Sequence, residues 1–230
     1  MSAEQLFPNL NIYFNEDPET VEIGVDEAGR GPLFGRVYVA SVILPKDMTF
    51  DHFKMKDSKK FHSKKKIQDV AEYIKENAIA WSISYEDETT IDAINILQAT
   101  QSSMHKTILK TIENNYRKDH IKQKYKLLID GNYFKPLTDK TYLNHAKALD
   151  YICIEGGDNK YTAIAAASIL AKVARDCYIE ELCALNPELD EHYSILSNKG
   201  YGAKKHIEGI KEHGITIWHR RSFGICKNYV

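Results

Sequence analysis

Asp26 and Glu27 are adjacent carboxylates at the end of an apolar run through Val21, Ile23 and Val25, and the glycine-flanked arginine Gly29-Arg30-Gly31 follows them. Carboxylate oxygens at the mouth of a strand are ligands for a hard divalent cation. Glycines beside them let backbone N–H groups come close to a phosphate or a sugar. A cation next to such a cradle is equipment for phosphodiester chemistry. Asp130 closes a second apolar run just before Gly131, and Asp158 follows Gly156-Gly157 ahead of a long apolar stretch. Taken singly, Asp130 reads as a turn residue and Asp158 as a helix cap. As acids at the ends of successive elements, Asp26, Glu27, Asp130 and Asp158 together favour a metal site. An all-carboxylate set suits Mg²⁺ or Mn²⁺ and not zinc. The glycines do not match a dinucleotide fingerprint: the spacing is Gly29-x-Gly31-x-x-x-Gly35, Pro32 intrudes, and a strand follows where a helix should.

These acids need a scaffold. The chain of 230 residues is 43% hydrophobic and 27% charged, which suits one globular domain with a sizeable core. Residues 21–26, 36–44, 78–85, 126–130 and 150–155 read as strands. Residues 63–76, 89–114, 163–182 and 203–213 read as helices, followed by an irregular tail. In the first helix Ser63 is the candidate cap and Ile67, Val70, Ala71 and Ile74 share a face. In the second, Ile94, Leu97, Met104, Ile108 and Leu109 form the apolar stripe. The helix from 163 starts apolar all round, so its first turns should be buried. Hairpin-like strands, a helix, then strands alternating with helices predict an α/β fold around one mixed sheet. If the first and fourth strands are parallel neighbours, Asp26 and Asp130 meet at the carboxyl edge of the sheet, where such folds place their sites. Successive strand residues face opposite ways, so Glu27 joins Asp26 only where the strand bends or ends, which Gly29 allows. Residues 1–20 read as a loosely ordered N-terminal extension and 21–230 as the catalytic domain.

Composition narrows the function. Basic residues (31) and acidic residues (32) nearly balance, which rules out a wholesale basic coat but not a basic face. Lys54, Lys56, Lys59, Lys60, Lys64, Lys65 and Lys66 form one cluster, and Lys199, Lys204, Lys205, Arg220 and Arg221 another. On charge alone, both read as solvated faces. Cys153, Cys177, Cys183 and Cys226 form no C-x-x-C pair, which points to reduced thiols in a cytoplasmic or nuclear compartment. There is no basic-then-apolar leader pattern, and the apolar runs 37–44 and 163–171 fall well short of the ~18–20 residues of a membrane helix. An intracellular protein that is not secreted is the expectation.

The segment Val25-Asp26-Glu27-Ala28-Gly29-Arg30-Gly31-Pro32-Leu33 resembles the opening signature of the ribonuclease HII (type 2 ribonuclease H) family. Four later segments resemble that family in the same order: Asp57-Ser58-Lys59-Lys60, Ile94 to Thr100, Ile129-Asp130-Gly131-Asn132, and Gly157-Asp158 leading into Ala166 to Val173. Lys199-Gly200-Tyr201-Gly202 and His219-Arg220-Arg221-Ser222-Phe223 are similar to its ending, so the likeness covers about residues 21–224. The related ribonuclease HIII group typically lacks the arginine-centred Gly-Arg-Gly.

The resemblance implies a ribonuclease H-like fold, a five-stranded mixed sheet flanked by helices with a helical C-terminal portion. It implies an endoribonuclease that cuts RNA paired with DNA and nicks duplex DNA 5′ to a single embedded ribonucleotide. The products would carry 3′-hydroxyl and 5′-phosphate ends, in the service of ribonucleotide removal during replication and repair. By motif, Asp26, Glu27, Asp130 and Asp158 would hold two Mg²⁺ or Mn²⁺ ions. Gly29, Arg30 and Gly31 would read the ribose 2′-hydroxyl, the group that separates RNA from DNA. Tyr201 would pack on the sugar after the cut, and Lys59 or Lys60 would grip phosphates near the junction. The lysine clusters then read as phosphate contacts, which position without specifying sequence. His206 and His219 lack metal-ligand spacing and read as structural or phosphate-facing, and Arg220 and Arg221 as packing the tail on the core.

Some points stay open. The stretch from Asp130 to Asp158 is longer than the family pattern and also holds Asp150 and Glu155. Arg36 stands where the family often has proline, and Ala203 where threonine is common. A DNA junction resolvase on the same fold is one rival, although it would have no use for a 2′-hydroxyl reader. A non-catalytic hybrid-binding module is another, although it would gain nothing from clustered acids beside phosphates. A monomer is the default.

Overall fold

The computed structural model describes residues 9–119, 123–137 and 148–230. Five strands form one sheet in the order β3-β2-β1-β4-β5: β1 Thr20–Ala28, β2 Val37–Ile43, β3 Ala80–Glu86, β4 Lys124–Asp130 and β5 Asp150–Ile154. β1, β2 and β3 pair antiparallel, whereas β1 with β4 and β4 with β5 pair parallel. This is the predicted five-stranded mixed sheet. Its helices are α1 Lys64–Asn77, α2 Glu88–Asp119, α3 Thr162–Leu185, α4 Glu188–Tyr193, α5 Ile195–Asn198 and α6 Lys204–His213. The last three make up the helical C-terminal portion.

Alternation along the strands divides the interior in two. From β2, Ala40 and Val42 face α1 and α3, while Val39 and Ile43 face Met104, Ile108 and Ile112 of α2. Ser41 shares the α2 face, where its hydroxyl meets the Thr111 hydroxyl at 2.7 Å. α1 behaves as its pattern requires: Ile67, Ala71 and Ile74 are buried, and Ser63 Oγ caps it by accepting from Lys66 N at 3.4 Å. The apolar start of α3 is buried from Thr162 through Ala171. α3 crosses β1 so closely that a Cβ on Gly24 would lie 2.2 Å from the Ala163 backbone. No helix among the described residues is long and apolar enough to cross a membrane.

Two expectations change. The second helix is not one rod, because Asn95 breaks it with φ 67 and ψ 163. Its side chain restarts the helix, Oδ1 accepting from Gln98 N at 3.1 Å. The break resets the helical phase, so Ile94 and Leu97 lie at the surface while Met104 and Ile108 stay in the core. The described part of the extension, 9–19, is fastened to the domain and is not a loose lead-in. Asn11 bridges to the segment before α3 (Asn11 N to Lys160 O 2.8 Å, Thr162 N to Asn11 O 3.0 Å). Phe14 N and Asn15 N donate to the buried Glu22 carboxylate at 2.8 and 2.7 Å.

The Gly24 contact makes a direct prediction. Gly24→Ala forces α3 off β1 and should destabilise the fold by about 3 kcal/mol, the upper end for overpacking, seen as a lower urea midpoint. An unchanged midpoint would refute the close packing.

Candidate active site

Parallel pairing of β1 with β4 brings Val25 opposite Ile129, so Asp26 and Asp130 stand side by side one residue further on. Both point to the α3 face of the sheet, by alternation with Gly24 and Leu128. Asp158 arrives from a 3-10 turn at Gly157–Asn159 that links β5 to α3. That turn is docked by Gly157 N, which donates to Asp130 Oδ1 at 2.6 Å. Glu27 sits on the opposite side of the strand, but β1 ends at Ala28 and Gly29 turns away with φ +93. Glu27 therefore reaches the same cleft over the rim.

The cleft has a volume of about 580 Å³ and is lined by all four acids, by Gly29, Arg30 and Gly31, and by Lys59 and Tyr201. The structure places the alternative candidates differently. Asp150 sits at the far end of β5, paired with Lys126 at 2.8 Å, and Glu155 is exposed outside the cleft lining, whereas Asp158, on the turn after β5, lines the cleft with Asp26 and Asp130. Lys59 lines the cleft, whereas Lys60 turns to the Asn159 side-chain carbonyl. The Lys59 turn is itself pinned: Asp57 accepts from Lys59 N at 2.8 Å and from Asn159 Nδ2 at 3.3 Å, and the Ser58 and Ser168 hydroxyls meet at 3.0 Å. Tyr201 is half exposed and its ring faces Gly31, where an added Cβ would lie 3.4 Å from Cε1.

Several residues at the site carried no legible role in the sequence. Ser168 hydrogen-bonds Asp26, and Lys172 and Lys199 line the cleft, paired with Asp176 at 2.8 Å and Glu180 at 3.1 Å. Arg175 is buried behind the glycine turn and bonds the carbonyls of Phe34, Arg36 and Lys199. His206 and His219 form a buried pair, Nε2 to Nε2 at 3.0 Å. Thr216 N donates to His219 Nδ1, so His219 carries its proton on Nε2 and gives it to His206 Nε2. His206 Nδ1 then donates to Tyr201 O at 2.8 Å. Burial and the neighbouring His206 push His219 down to about 3, which keeps the pair neutral. The pair is structural and ties Tyr201 to the tail. No periodicity could reveal these links, because each joins segments distant in sequence.

The family model described as Ribonuclease HII matches residues 23–226. A ribonuclease HII of Parabacteroides distasonis is 42% identical over 203 residues, covering 88% of this chain and 89% of its own. The chain belongs to the ribonuclease HII family. Among solved structures, the ribonuclease H2 of Pyrococcus horikoshii OT3 shares the fold with a TM-score of 0.62 at 22% identity, covering 91% of this chain and 96% of its own. A Bst-RNase HIII solved in complex with Mn²⁺ shares it at 0.61 and 17% identity, covering 84% and 70%. Ribonuclease HII membership makes the chain a metal-dependent ribonuclease acting on RNA/DNA hybrids, and removes the junction-resolvase and pure-binder readings.

The donor chemistry of the cleft fits that dependence on metal. Its ligand candidates are all carboxylate oxygens, the preference of Mg²⁺ and Mn²⁺. Among the described residues, no three acid, histidine or cysteine side chains already close around one point. Each acid is turned to a protein donor instead. Asp26 accepts from Glu27 N at 2.7 Å, Glu27 pairs with Arg30 at 3.2 Å, and Asp158 accepts from Asn159 Nδ2 at 3.1 Å. Burial, then the charges of Glu27 and Asp130, hold the Asp26 carboxyl well above the usual carboxylate range. Burial also raises Glu27 against the opposing pull of Arg30, and burial and then Asp130 raise Asp158.

A carboxyl with a raised folded pKa keeps a proton that the unfolded chain has released. Such groups therefore cost the folded state stability as pH climbs past their unfolded values, and the full cost is present above the folded values. Asp26→Asn should raise the melting temperature in EDTA at pH 7, with the gain vanishing near pH 3.8, the ordinary aspartate value. A variant no more stable than the wild type at pH 7 would contradict the burial and like-charge repulsion that raise Asp26.

Proposed function

We propose that the protein nicks duplex DNA on the 5′ side of a single embedded ribonucleotide, as well as cutting the RNA strand of longer hybrids, and so serves ribonucleotide removal during replication and repair. The observation that carries this reading is the meeting, in one cleft, of four acids with the Gly29-Arg30-Gly31 turn and Tyr201. Two Mg²⁺ or Mn²⁺ ions, held by Asp26, Glu27, Asp130 and Asp158, would supply a nucleophilic water and stabilise charge on the phosphate and the leaving 3′-oxygen. The carboxylates orient that chemistry by their fixed places on β1, β4 and the 157–159 turn. Gly31, having no side chain, lets the turn lie close against the Tyr201 ring, so that turn and ring present one continuous surface to the cleft. Backbone amides of the turn read the 2′-hydroxyl, which a deoxyribose lacks. Lys59 holds a phosphate at the cleft edge, with Lys60 fixing the turn beneath it. The mechanism needs no base contact, so the reading entails little sequence preference. We propose action as a monomer.

The test is a duplex carrying one ribonucleotide, incubated with Mg²⁺, Mn²⁺ or EDTA. One nick should form 5′ to the ribonucleotide, leaving 3′-hydroxyl and 5′-phosphate ends, and none in EDTA or with Asp26→Asn. Cleavage of an all-DNA duplex at a similar rate would sink the reading. Tyr201→Ala should lower kcat on the single ribonucleotide by about tenfold or more while duplex affinity changes little, the mark of a contact made mainly in the transition state. Loss of affinity alone would contradict the sugar-packing role.

A further inference from the structure

Arg220 is fully buried, yet it makes no ion pair among the described residues. Its guanidinium instead bonds four backbone carbonyls of one loop: Gly29 O at 2.6 Å, Arg30 O at 2.9 Å, Pro32 O at 3.0 Å and Gly35 O at 2.8 Å. Arg175, also buried without an ion pair, holds the carbonyls of Phe34 and Arg36 from the other side. Arg220 also lies over the Phe223 ring at 5.1 Å, but no carboxylate among the described residues is within ion-pair distance, so burying its charge costs desolvation free energy that general packing does not require. Burial and the neighbouring Arg175 lower Arg220 to about 9, so it still carries its charge at neutral pH.

The consequence lies in the peptide planes. All peptide bonds here are trans, so a carbonyl and the N–H of the next residue point in opposite directions. The Gly29 carbonyl shares its plane with Arg30 N–H, and the Arg30 carbonyl with Gly31 N–H. Clamping both carbonyls inward on Arg220 turns both N–H groups outward, and Arg30 and Gly31 line the cleft. Among the described residues neither N–H makes a hydrogen bond. By contrast, the next amides are used to anchor the loop, Leu33 N to Gly200 O and Gly35 N to Trp218 O, both at 2.9 Å. A cation on the carbonyl oxygen also polarises each peptide and strengthens its N–H as a donor.

We propose that Arg220 is a positioning residue for the ribose reader: it aims and polarises the Arg30 and Gly31 amides toward the 2′-hydroxyl and the adjoining phosphate. This rests on the reading of Gly29-Arg30-Gly31 as the sugar-reading turn. The tail thus contributes to substrate choice through a side chain that never touches substrate.

Arg220→Lys keeps the charge but loses the planar fork, and three ammonium donors cannot serve four carbonyls. Its kcat on the single-ribonucleotide duplex should fall at least about tenfold with KM within about threefold. Hydrogen exchange at the Leu33 and Gly35 amides should quicken by about tenfold or more, with α1 unchanged. Arg220→Met, which fills the space without donors, should show both effects more strongly. Wild-type kcat, or lost activity with exchange at Leu33 and Gly35 unaltered, would overturn the proposal. So would failure of both variants to fold, which would mark Arg220 as a general structural residue. Failure of the underlying reading shows differently: the wild type would cut an all-DNA junction as readily as a ribonucleotide, while exchange at Leu33 and Gly35 would still respond to Arg220.

Discussion

Like charges brought together out of water repel, and the cleft holds Asp26, Glu27, Asp130 and Asp158 together in spite of that. Burial and their mutual charge push Asp26 well above the usual carboxylate range. Such a cluster persists only where stiff elements over-determine it. Here it stands on two adjacent parallel strands, a turn docked onto Asp130 by the Gly157 amide, and a helix packed on β1 so tightly that only glycine fits at position 24. Stability spent at this sheet edge is recovered in the two cores on either face of the sheet. A divalent cation would reverse the sign of the local field, so the repulsion that weakens the bare cluster favours the cation site proposed there.

The opposite charge is handled with similar economy on the other wall of the cleft. Two arginines are buried without carboxylates and spread their donors over backbone carbonyls of the loop from Gly29 to Arg36. A pairing acid there would add negative charge beside the outward-facing amides and repel an anion. Carbonyl acceptors leave the turn electropositive on its cleft side while satisfying the guanidinium donors. The neutral His206–His219 pair joins Tyr201 to the same tail, so Tyr201 and the glycine turn beside it are both referenced to residues 216–220.

Much of this was legible in sequence. Strand alternation in 36–44 and the i, i+3, i+4 spacing of Ile67, Val70, Ala71 and Ile74 report which face is buried, because period follows directly from backbone geometry. The all-apolar start of α3 announced a helix enclosed on all sides. The break at Asn95 was not legible: an asparagine inside a helical pattern carries no periodic signal, and only the surrounding fold holds it at positive φ. Nor could the sequence choose between Lys59 and Lys60. They are neighbours of one type, and their different positions, Lys59 on the cleft and Lys60 on Asn159, depend on a residue 99 positions beyond Lys60.

The sequence by itself determined the acids, the glycine turn, the five-strand α/β pattern and, through ordered motifs, the ribonuclease HII family. These are matters of residue type and short spacing, which local chemistry and backbone period control. Only the tertiary structure decided that Asp158 and not Asp150 or Glu155 joins Asp26 and Asp130, that Glu27 reaches the cleft over the end of its strand, and that Arg220 holds Gly29 and Arg30. Those facts depend on strand neighbours and on contacts between distant segments, and no spacing along the chain encodes which distant carbonyl a buried guanidinium will find.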